Sequence, residues 1–199
     1  YGRYARTLGL GADADTAPEG GQYICSIWER EIFSRIHPDD LQRKHLQELR
    51  FFHFVKRQHR SRRGDFHMAS RLRMRNADGD YVNVLHRIFY IPEPARNALR
   101  LALCLYTPLA CDIPDAGMII DAAEGTVIDF DTSTEQRILS PREKQILRLI
   151  DNGLPSKEIA QRLSISIHTV SRHRQQILGK LRVKNSIEAC RTAKSLHLI

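Results

Sequence analysis

A short stretch near the end of the chain carries the side chains best suited to contact with a nucleic acid. Arg172 and Gln175 are spaced as neighbours on one face of a helix, and Ser171 lies beside them. An arginine guanidinium offers paired donors that match guanine, and a glutamine amide offers a donor and an acceptor that match adenine. We therefore predict that Arg172, Gln175 and Ser171 read DNA bases.

A second set of side chains near this stretch is suited to the phosphate backbone. Hydroxyl and ammonium groups bind phosphate oxygens, which fixes a protein on the duplex without reading its sequence. The predicted phosphate contacts are Ser156, Lys157, Thr169 and Lys180. Arg174 and His173 fall nearer the apolar arc of the same helix, so their roles stay open.

The distribution of charge agrees with a polyanionic partner. The formal net charge is +8. Residues 1–140 carry 19 basic and 19 acidic side chains, whereas residues 141–199 carry 12 basic and 4 acidic ones. All of the excess positive charge therefore lies at the C-terminal end. Nucleic acid is the commonest partner of such a basic domain, and a solvated basic surface is the alternative.

Four helical patterns position these side chains, and the first two are marked by their starts and ends. Ser140 and Glu143 form a capping box, and Pro141 fits the first helical position. Gly153 ends this helix. Ser156 is predicted to cap the short helix that follows, which would be the first of a helix-turn-helix.

The next two patterns are the recognition helix and a last helix. Ser166 caps the recognition helix, predicted at about 167–181, and Asn185 with Glu188 caps a helix over 186–195. The last helix has a face of small residues that could pack against its own domain or against a second copy of the chain.

The block 140–199 resembles the LuxR/NarL-type C-terminal DNA-binding domain. The resemblance implies a recognition helix in the major groove and a dimer contact through the last helix. Ser171 departs from the family pattern, where Lys is frequent, so base preference cannot be transferred. The implied dimer helix contributes Glu188, Ala189, Ala193 and Leu196. The resemblance is carried by Leu139 to Glu143, Ile150, Gly153, Ser156 to Ala160, Leu163, Ser166, His168 to His173, Leu181, Glu188 and Ala189.

The first two thirds of the chain predict an α+β domain. Two amphipathic helices, Tyr23 to Ile36 and Pro38 to Gln58, come before a hairpin-built antiparallel sheet. The apolar members of the second helix are Leu41, Leu46, Leu49, Phe52 and Val55. The strands are an alternating run from Phe66 to Arg75, a return from Tyr81 to Ile91 after the Asn76 to Gly79 turn, Leu99 to Tyr106, and a small hairpin of Met118 to Asp121 and Thr126 to Phe130.

Residues 23–110 resemble a PAS domain through His37 to Asp40, the Asn76 to Gly79 turn, and Asp80 to Val82. The resemblance implies a sensory or dimerisation module. No cofactor is predicted, and the small-molecule ligand of such a module is unknown. The four histidines considered as haem ligands are better explained as structural residues: His37, His53, His67 and His86.

Several other classes are disfavoured. The four cysteines show no metal-ligand spacing, so no metal site is predicted. No catalytic constellation is present, and Asp39 with Asp40 and Asp78 with Asp80 fit a helix start and a turn, so no enzyme is expected. The longest apolar run is far shorter than a membrane span, and no signal peptide begins the chain. A cytoplasmic protein without a membrane partner is expected.

These observations predict a two-domain transcriptional regulator: a PAS-like domain over 1–130, a linker over 131–139 and a helix-turn-helix domain over 140–199. Its expected partners are double-stranded DNA and a second copy of the chain, with RNA polymerase as a further candidate. One alternative is a sigma-factor-like promoter protein, although the β-rich residues 65–130 disfavour it. Another is a haem or small-ligand sensor. The basic run Lys56 to Arg63 is interpreted as a solvated loop in preference to a DNA contact.

Overall fold

The chain divides into two compact units, residues 1–132 and residues 133–199. The computed structural model describes residues 30–93, 98–129 and 138–199. The start of the helix predicted from Tyr23 and most of the predicted linker lie outside the described residues. No helix among the described residues is both long enough and apolar enough to cross a membrane.

The first unit begins with its helices. They are α1 (Arg30–Arg35), α2 (Pro38–Arg57) and a 3-10 turn (Arg60–Arg62). Helix α2 starts where the sequence predicts, with Pro38 in its first turn. The buried Asp40 accepts hydrogen bonds from the backbone N–H of Arg73 at 2.7 Å and from its guanidinium at 2.8 and 3.0 Å. The start of α2 is thereby tied to the sheet.

Five antiparallel strands follow, in the spatial order β3-β2-β1-β4-β5. This confirms the predicted hairpin-built antiparallel sheet. Asn76 supports the first turn by accepting the N–H of Asp80 at 2.8 Å, and Gly79 takes a φ of +97°. The strands are β1 (Phe66–Arg75), β2 (Tyr81–Glu93), β3 (Ala98–Pro108), β4 (Met118–Asp121) and β5 (Thr126–Asp129).

The core between α2 and the sheet differs from the prediction in one respect. Phe51 is fully buried, whereas Phe52, Leu41 and Leu46 of the predicted apolar set are only partly buried. The reason is that the buried face of α2 also carries the polar residues Asp40, Lys44 and Gln47. A helical wheel of α2 that counts only the apolar residues therefore places the buried face about 100° from its observed position. The main core cluster is Phe51, Val55, Phe66, Met68, Ile88, Tyr90 and Ile119.

The edge strand β3 has two unlike faces. Leu101 and Leu103 are 57% and 47% exposed. Cys104 pairs in register with the buried Ile88, and Tyr106 pairs with the buried His86. Because residues opposite each other in an antiparallel pair share a face, Cys104 and Tyr106 lie on the side of the sheet that packs against α2.

The basic run Lys56 to Arg63 has partners within its own unit. Arg62 forms ion pairs with Asp65, Asp121 and Glu124. Arg63 is buried and donates to two backbone carbonyls at the end of α2. Arg62 thus ties the loop to the sheet with 38% of its side chain exposed, whereas the buried Arg63 departs from the predicted solvated loop.

The second unit is helical over residues 138–199. Its apolar centre comes from every helix, with Ile146 and Leu147 from the first, Ile159 from the second and Ile177 from the third. The helices are α3 (Pro141–Asp151), α4 (Ser156–Arg162), α5 (Ile167–Leu181) and α6 (Ser186–Ser195). Gly153 follows α3 with a φ of +81°, as expected for a residue that ends a helix.

Candidate nucleic-acid interface

The start of α5 is specified by the predicted cap. Ser166 Oγ accepts the backbone N–H of Thr169 at 3.0 Å and lies 2.8 Å from Thr169 Oγ1. Arg142 of α3 donates to the carbonyl of Leu163 at 2.9 Å, which holds the turn that precedes the cap. The turn and the first residues of α5 are thus fixed from both sides.

Helix α5 presents one polar face to solvent. Val170, Ile177 and Leu181 are buried on the opposite side. Arg172 and Gln175 are exposed and lie on one stripe, with the exposed Ser171 beside them. The structure therefore brings together the three residues that the sequence predicts to read bases, and it leaves their side chains open to solvent.

The same stripe begins one turn earlier with a residue that the sequence reading did not select. His168 is exposed and lies four residues before Arg172 and seven before Gln175. That spacing places all three on one helix face. The helical periodicity was therefore sufficient to find His168, because imidazole nitrogens can hydrogen-bond to bases or phosphates.

Arg174 faces inward and joins three helices. Its guanidinium donates to Ser156 Oγ at 2.8 Å and to Ser186 Oγ at 2.9 Å. These serines are the first residues of α4 and α6. Arg174, which lies on the helix that carries the polar stripe, fixes α5 against the starts of both neighbours.

The cap predicted at Ser156 is wrong, because the helix begins one residue earlier than a Ser156 cap would require. The residue before α4 is Pro155, and no side chain caps this helix. Ser156 is instead the first helical residue, and its hydroxyl is engaged by Arg174. Ser156 keeps its hydroxyl proton available as a donor, so its predicted phosphate contact stays a prediction.

Lys180, at the far end of α5, is paired within the domain. Its ammonium lies 2.7 Å from the buried carboxylate of Glu143, and its own side chain is 37% exposed. Glu143 also accepts the N–H of Ser140 at 2.7 Å, which completes the predicted capping box. Burial alone would raise the pKa of Glu143, but the hydrogen bonds from Lys180 and Ser140 outweigh it and hold the pKa below its usual 4.5.

The other predicted phosphate contacts differ in exposure. Lys157 is exposed at the start of α4, and Thr169 is partly buried through its contact with Ser166. Lys157 can therefore contact a phosphate without moving its side chain out of a buried position. Thr169 would have to share its hydroxyl with the cap.

The small-residue face of α6 packs against its own domain. Ala189, Ala193 and Leu196 are at most 6% exposed in the single chain. Asn185 caps the helix, and Glu188 accepts the N–H of Lys184 just before it. Ala189 and Ala193 thus pack against α3 and α5 of the same unit, and the predicted dimer contact through this helix stays a prediction. The exposed side of α6 carries Ile187, which is 75% exposed, together with Arg191.

The geometry of α4, the turn and α5 defines a class of domain. A short helix, a tight capped turn and a second helix with an exposed face of Arg, Gln and Ser form a helix-turn-helix. Residues 137–193 match the family of bacterial regulatory proteins of the luxR type. This segment is therefore a LuxR-type helix-turn-helix DNA-binding domain.

Curated relatives match about a third of the chain. The transcriptional regulatory protein DesR of Bacillus subtilis is 47% identical over 64 residues, which are 32% of this chain and 32% of DesR. The nitrate/nitrite response regulator NarL of Escherichia coli is 45% identical over 58 residues, which are 29% of this chain and 27% of NarL. The match thus spans less than a third of either relative.

Solved structures show a looser likeness over more of the chain. Escherichia coli SdiA is 25% identical with a TM-score of 0.31, and the match covers 58% of this chain and 52% of SdiA. Vibrio cholerae VqmA in a complex with ligand and DNA is 14% identical with a TM-score of 0.29, and the match covers 68% of this chain and 57% of VqmA. Scores this low carry no argument about the first unit.

Proposed function

We propose that the protein is a sequence-specific DNA-binding transcriptional regulator that places α5 in the major groove. The observation that carries this proposal is the exposed stripe of Arg172 and Gln175 on the second helix of a LuxR-type domain. Net positive charge confined to residues 141–199 supports it. The relatives DesR and NarL bear names of regulators, which agrees with a function other than catalysis.

Base reading is assigned to Arg172, Gln175 and Ser171. Arg172 suits guanine because its guanidinium can donate two parallel hydrogen bonds, and Gln175 suits adenine through its amide. Ser171 is short and lies next to the stripe, where it can contact a base or a nearby phosphate. His168, at the start of the same stripe, is added as a further contact.

Phosphate binding is assigned first to Lys157, which is exposed on α4. Ser156 and Thr169 contribute hydroxyl groups at the starts of α4 and α5, where backbone N–H groups also face an anion. Lys180 contributes only when a phosphate replaces Glu143 as its partner, because the two side chains are paired in the absence of DNA.

Dimerisation on a two-fold DNA site is part of the proposal. Since the small residues of α6 are buried in the domain, the contact would use the exposed side that carries Ile187 and Arg191. The first unit, which resembles a PAS domain in sequence, would sense a ligand or add to the dimer contact. RNA polymerase remains a candidate partner of such a regulator.

The proposal is tested in two stages with the full purified chain. Selection of genomic fragments by the protein supplies the operator. Fluorescence anisotropy titrations at several salt concentrations then compare the operator with a random duplex. Arg172→Ala is expected to weaken operator binding by about 1–3 kcal/mol, with little effect on the random duplex. Lys157→Ala is expected to weaken both alike and to flatten the salt dependence.

Arg148→Ala is the matched control, because Arg148 is also exposed but lies on α3. It should leave the ratio of the two affinities unchanged. Equal losses on both duplexes for Arg172→Ala would remove the base-reading role. A wild-type protein that selects no common site would contradict the whole proposal.

A further inference from the structure

Three side chains with metal-binding chemistry meet in the first unit, far from one another in sequence. They are Glu48 of α2, His86 of β2 and Cys104 of β3, and their ligand atoms all lie within 4.8 Å of one another. The distance from His86 Nε2 to Glu48 Oε1 is 3.4 Å. The cluster lies where α2 packs on the sheet next to its edge strand.

His86 is the least expected member of the cluster. It is fully buried, and its Nε2 has no hydrogen-bond partner. A buried polar atom without a partner costs free energy, so its position calls for an explanation. Its Nδ1 lies 3.3 Å from Ser70 Oγ, and the ring packs 5.1 Å from the ring of Tyr106. Ser70 and Tyr106 thus hold the ring in the cluster, where Nε2 lies 3.4 Å from Glu48 Oε1.

We propose that Glu48, His86 and Cys104 bind a zinc ion. A thiolate, an imidazole and a carboxylate form a donor set that zinc accepts, and three protein ligands leave a fourth position open to water or to another molecule. When Nδ1 donates its proton to Ser70, the lone pair of Nε2 is available to the metal. Metal-ligating histidines commonly donate their second N–H in this way.

The distances suit tetrahedral coordination. Zinc bonds of about 2.0–2.3 Å place neighbouring ligand atoms roughly 3.3–3.8 Å apart. The His86 to Glu48 distance of 3.4 Å falls in that range. Closing the widest separation in the cluster needs about 1 Å of side-chain movement. Cys104 reaches solvent, so an ion has a path of entry.

A buried cation lies beside the cluster. Lys44 is buried and its ammonium lies 2.8 Å from Glu48 Oε1 and 4.7 Å from the centre of the Phe33 ring. Zinc binding would release the thiol proton of Cys104 to solvent, with no transfer of electrons. The thiolate and the carboxylate then neutralise the dication. Lys44 leaves one net positive charge, which stays beside the carboxylate and over the face of Phe33.

The test uses the full chain, without a histidine tag and stripped of metal by a chelator, titrated with Co²⁺ and then with Zn²⁺. One equivalent of Co²⁺ should give a thiolate-to-cobalt charge-transfer band, and Zn²⁺ should abolish it. Cys104→Ser should remove the band, and His86→Gln should weaken Zn²⁺ binding about tenfold or more. Circular dichroism and thermal melting report whether each variant folds.

Matched controls are Cys111→Ser and His67→Ala, which change a cysteine and a histidine outside the cluster. Both should bind like the wild type. A wild-type protein that neither develops the band nor binds Zn²⁺ overturns the proposal, and so does a folded Cys104→Ser variant that keeps the band. DNA binding is not part of the readout, so the outcome is independent of the proposed function.

Discussion

The two units use polar side chains in different ways. In the helical unit, serines and asparagine cap helices within three residues along the chain, and the exposed face of α5 keeps Arg172 and Gln175 in solvent. In the sheet unit, α2 turns Asp40, Lys44 and Gln47 inward, and their partners include residues far away in sequence. Polar side chains whose hydrogen-bond partners are near in sequence leave the exposed face of α5 free for binding. Polar side chains whose partners are far away in sequence hold the sheet unit together.

The largest expected effect tests which face of α2 is buried. Phe51→Ala should lower the free energy of unfolding by about 3–5 kcal/mol, because it empties a fully buried site. Phe52→Ala is the matched control and should cost clearly less, since Phe52 is only partly buried. Chemical denaturation of the full chain measures both. Equal losses would mean that α2 does not bury the Phe51 face.

The next effect concerns a distant polar partner. Asp40→Ala should lower the free energy of unfolding by about 2–3 kcal/mol, because it removes a buried carboxylate that accepts three hydrogen bonds from Arg73. Asp39→Ala should change it by less than about 0.5 kcal/mol, since the Asp39 side chain is 78% exposed. Hydrogen exchange over β1 would localise the loss. Similar values for the two variants would contradict the assigned anchor.

A third prediction separates two arginines two residues apart on α5. Arg174→Ala should lower the stability of the helical unit by about 1–2 kcal/mol, because it loses the hydrogen bonds to Ser156 and Ser186. It should leave the ratio of operator to random-duplex affinity unchanged. Arg172→Ala should do the reverse, with normal stability and a reduced ratio. Denaturation and anisotropy measurements on the same two variants test this. If a folded Arg174→Ala variant binds operator and random duplex equally well, Arg174 reads bases.

The smallest effect is a dependence on pH. The folded pKa of Glu143 lies below the unfolded value of 4.5, so its ionised form contributes stability above that pH and loses the contribution as the pH falls below it. Glu143→Gln should cost about 1 kcal/mol at about pH 7, and the gap to the wild type should narrow as the pH falls below 4.5. Denaturation across this range measures it. A gap that stays constant would mean that the Lys180 pair does not shift the Glu143 pKa.

The elements that sequence reasoning found are those with local causes. Ser140, Ser166 and Asn185 cap their helices as predicted, because a cap depends only on the next three residues. The Asn76 to Gly79 turn and the alternation along β1 are equally local. The exposure of Arg172 follows from helical periodicity alone, which is why this part of the candidate site could be predicted.

The errors and omissions come from contacts between elements. The cap assigned to Ser156 was wrong because the helix begins at Ser156 itself, with Pro155 in the cap position, and the Ser156 hydroxyl bonds to Arg174, 18 residues away. The inward turn of α2 depends on partners that only the folded sheet supplies. Glu48, His86 and Cys104 come from three elements, so no spacing rule along the chain could have grouped them.

The ion pair between Glu143 and Lys180 affects how the helical unit would meet a polyanion. At long range the field of the Lys180 ammonium is cancelled by that of the Glu143 carboxylate. Lys180 therefore adds little to the attraction that speeds encounter with DNA. A phosphate that takes over Lys180 replaces one anion with another, and the carboxylate left behind in a buried position then favours taking up a proton. Such an exchange would make part of the affinity depend on pH as well as on salt.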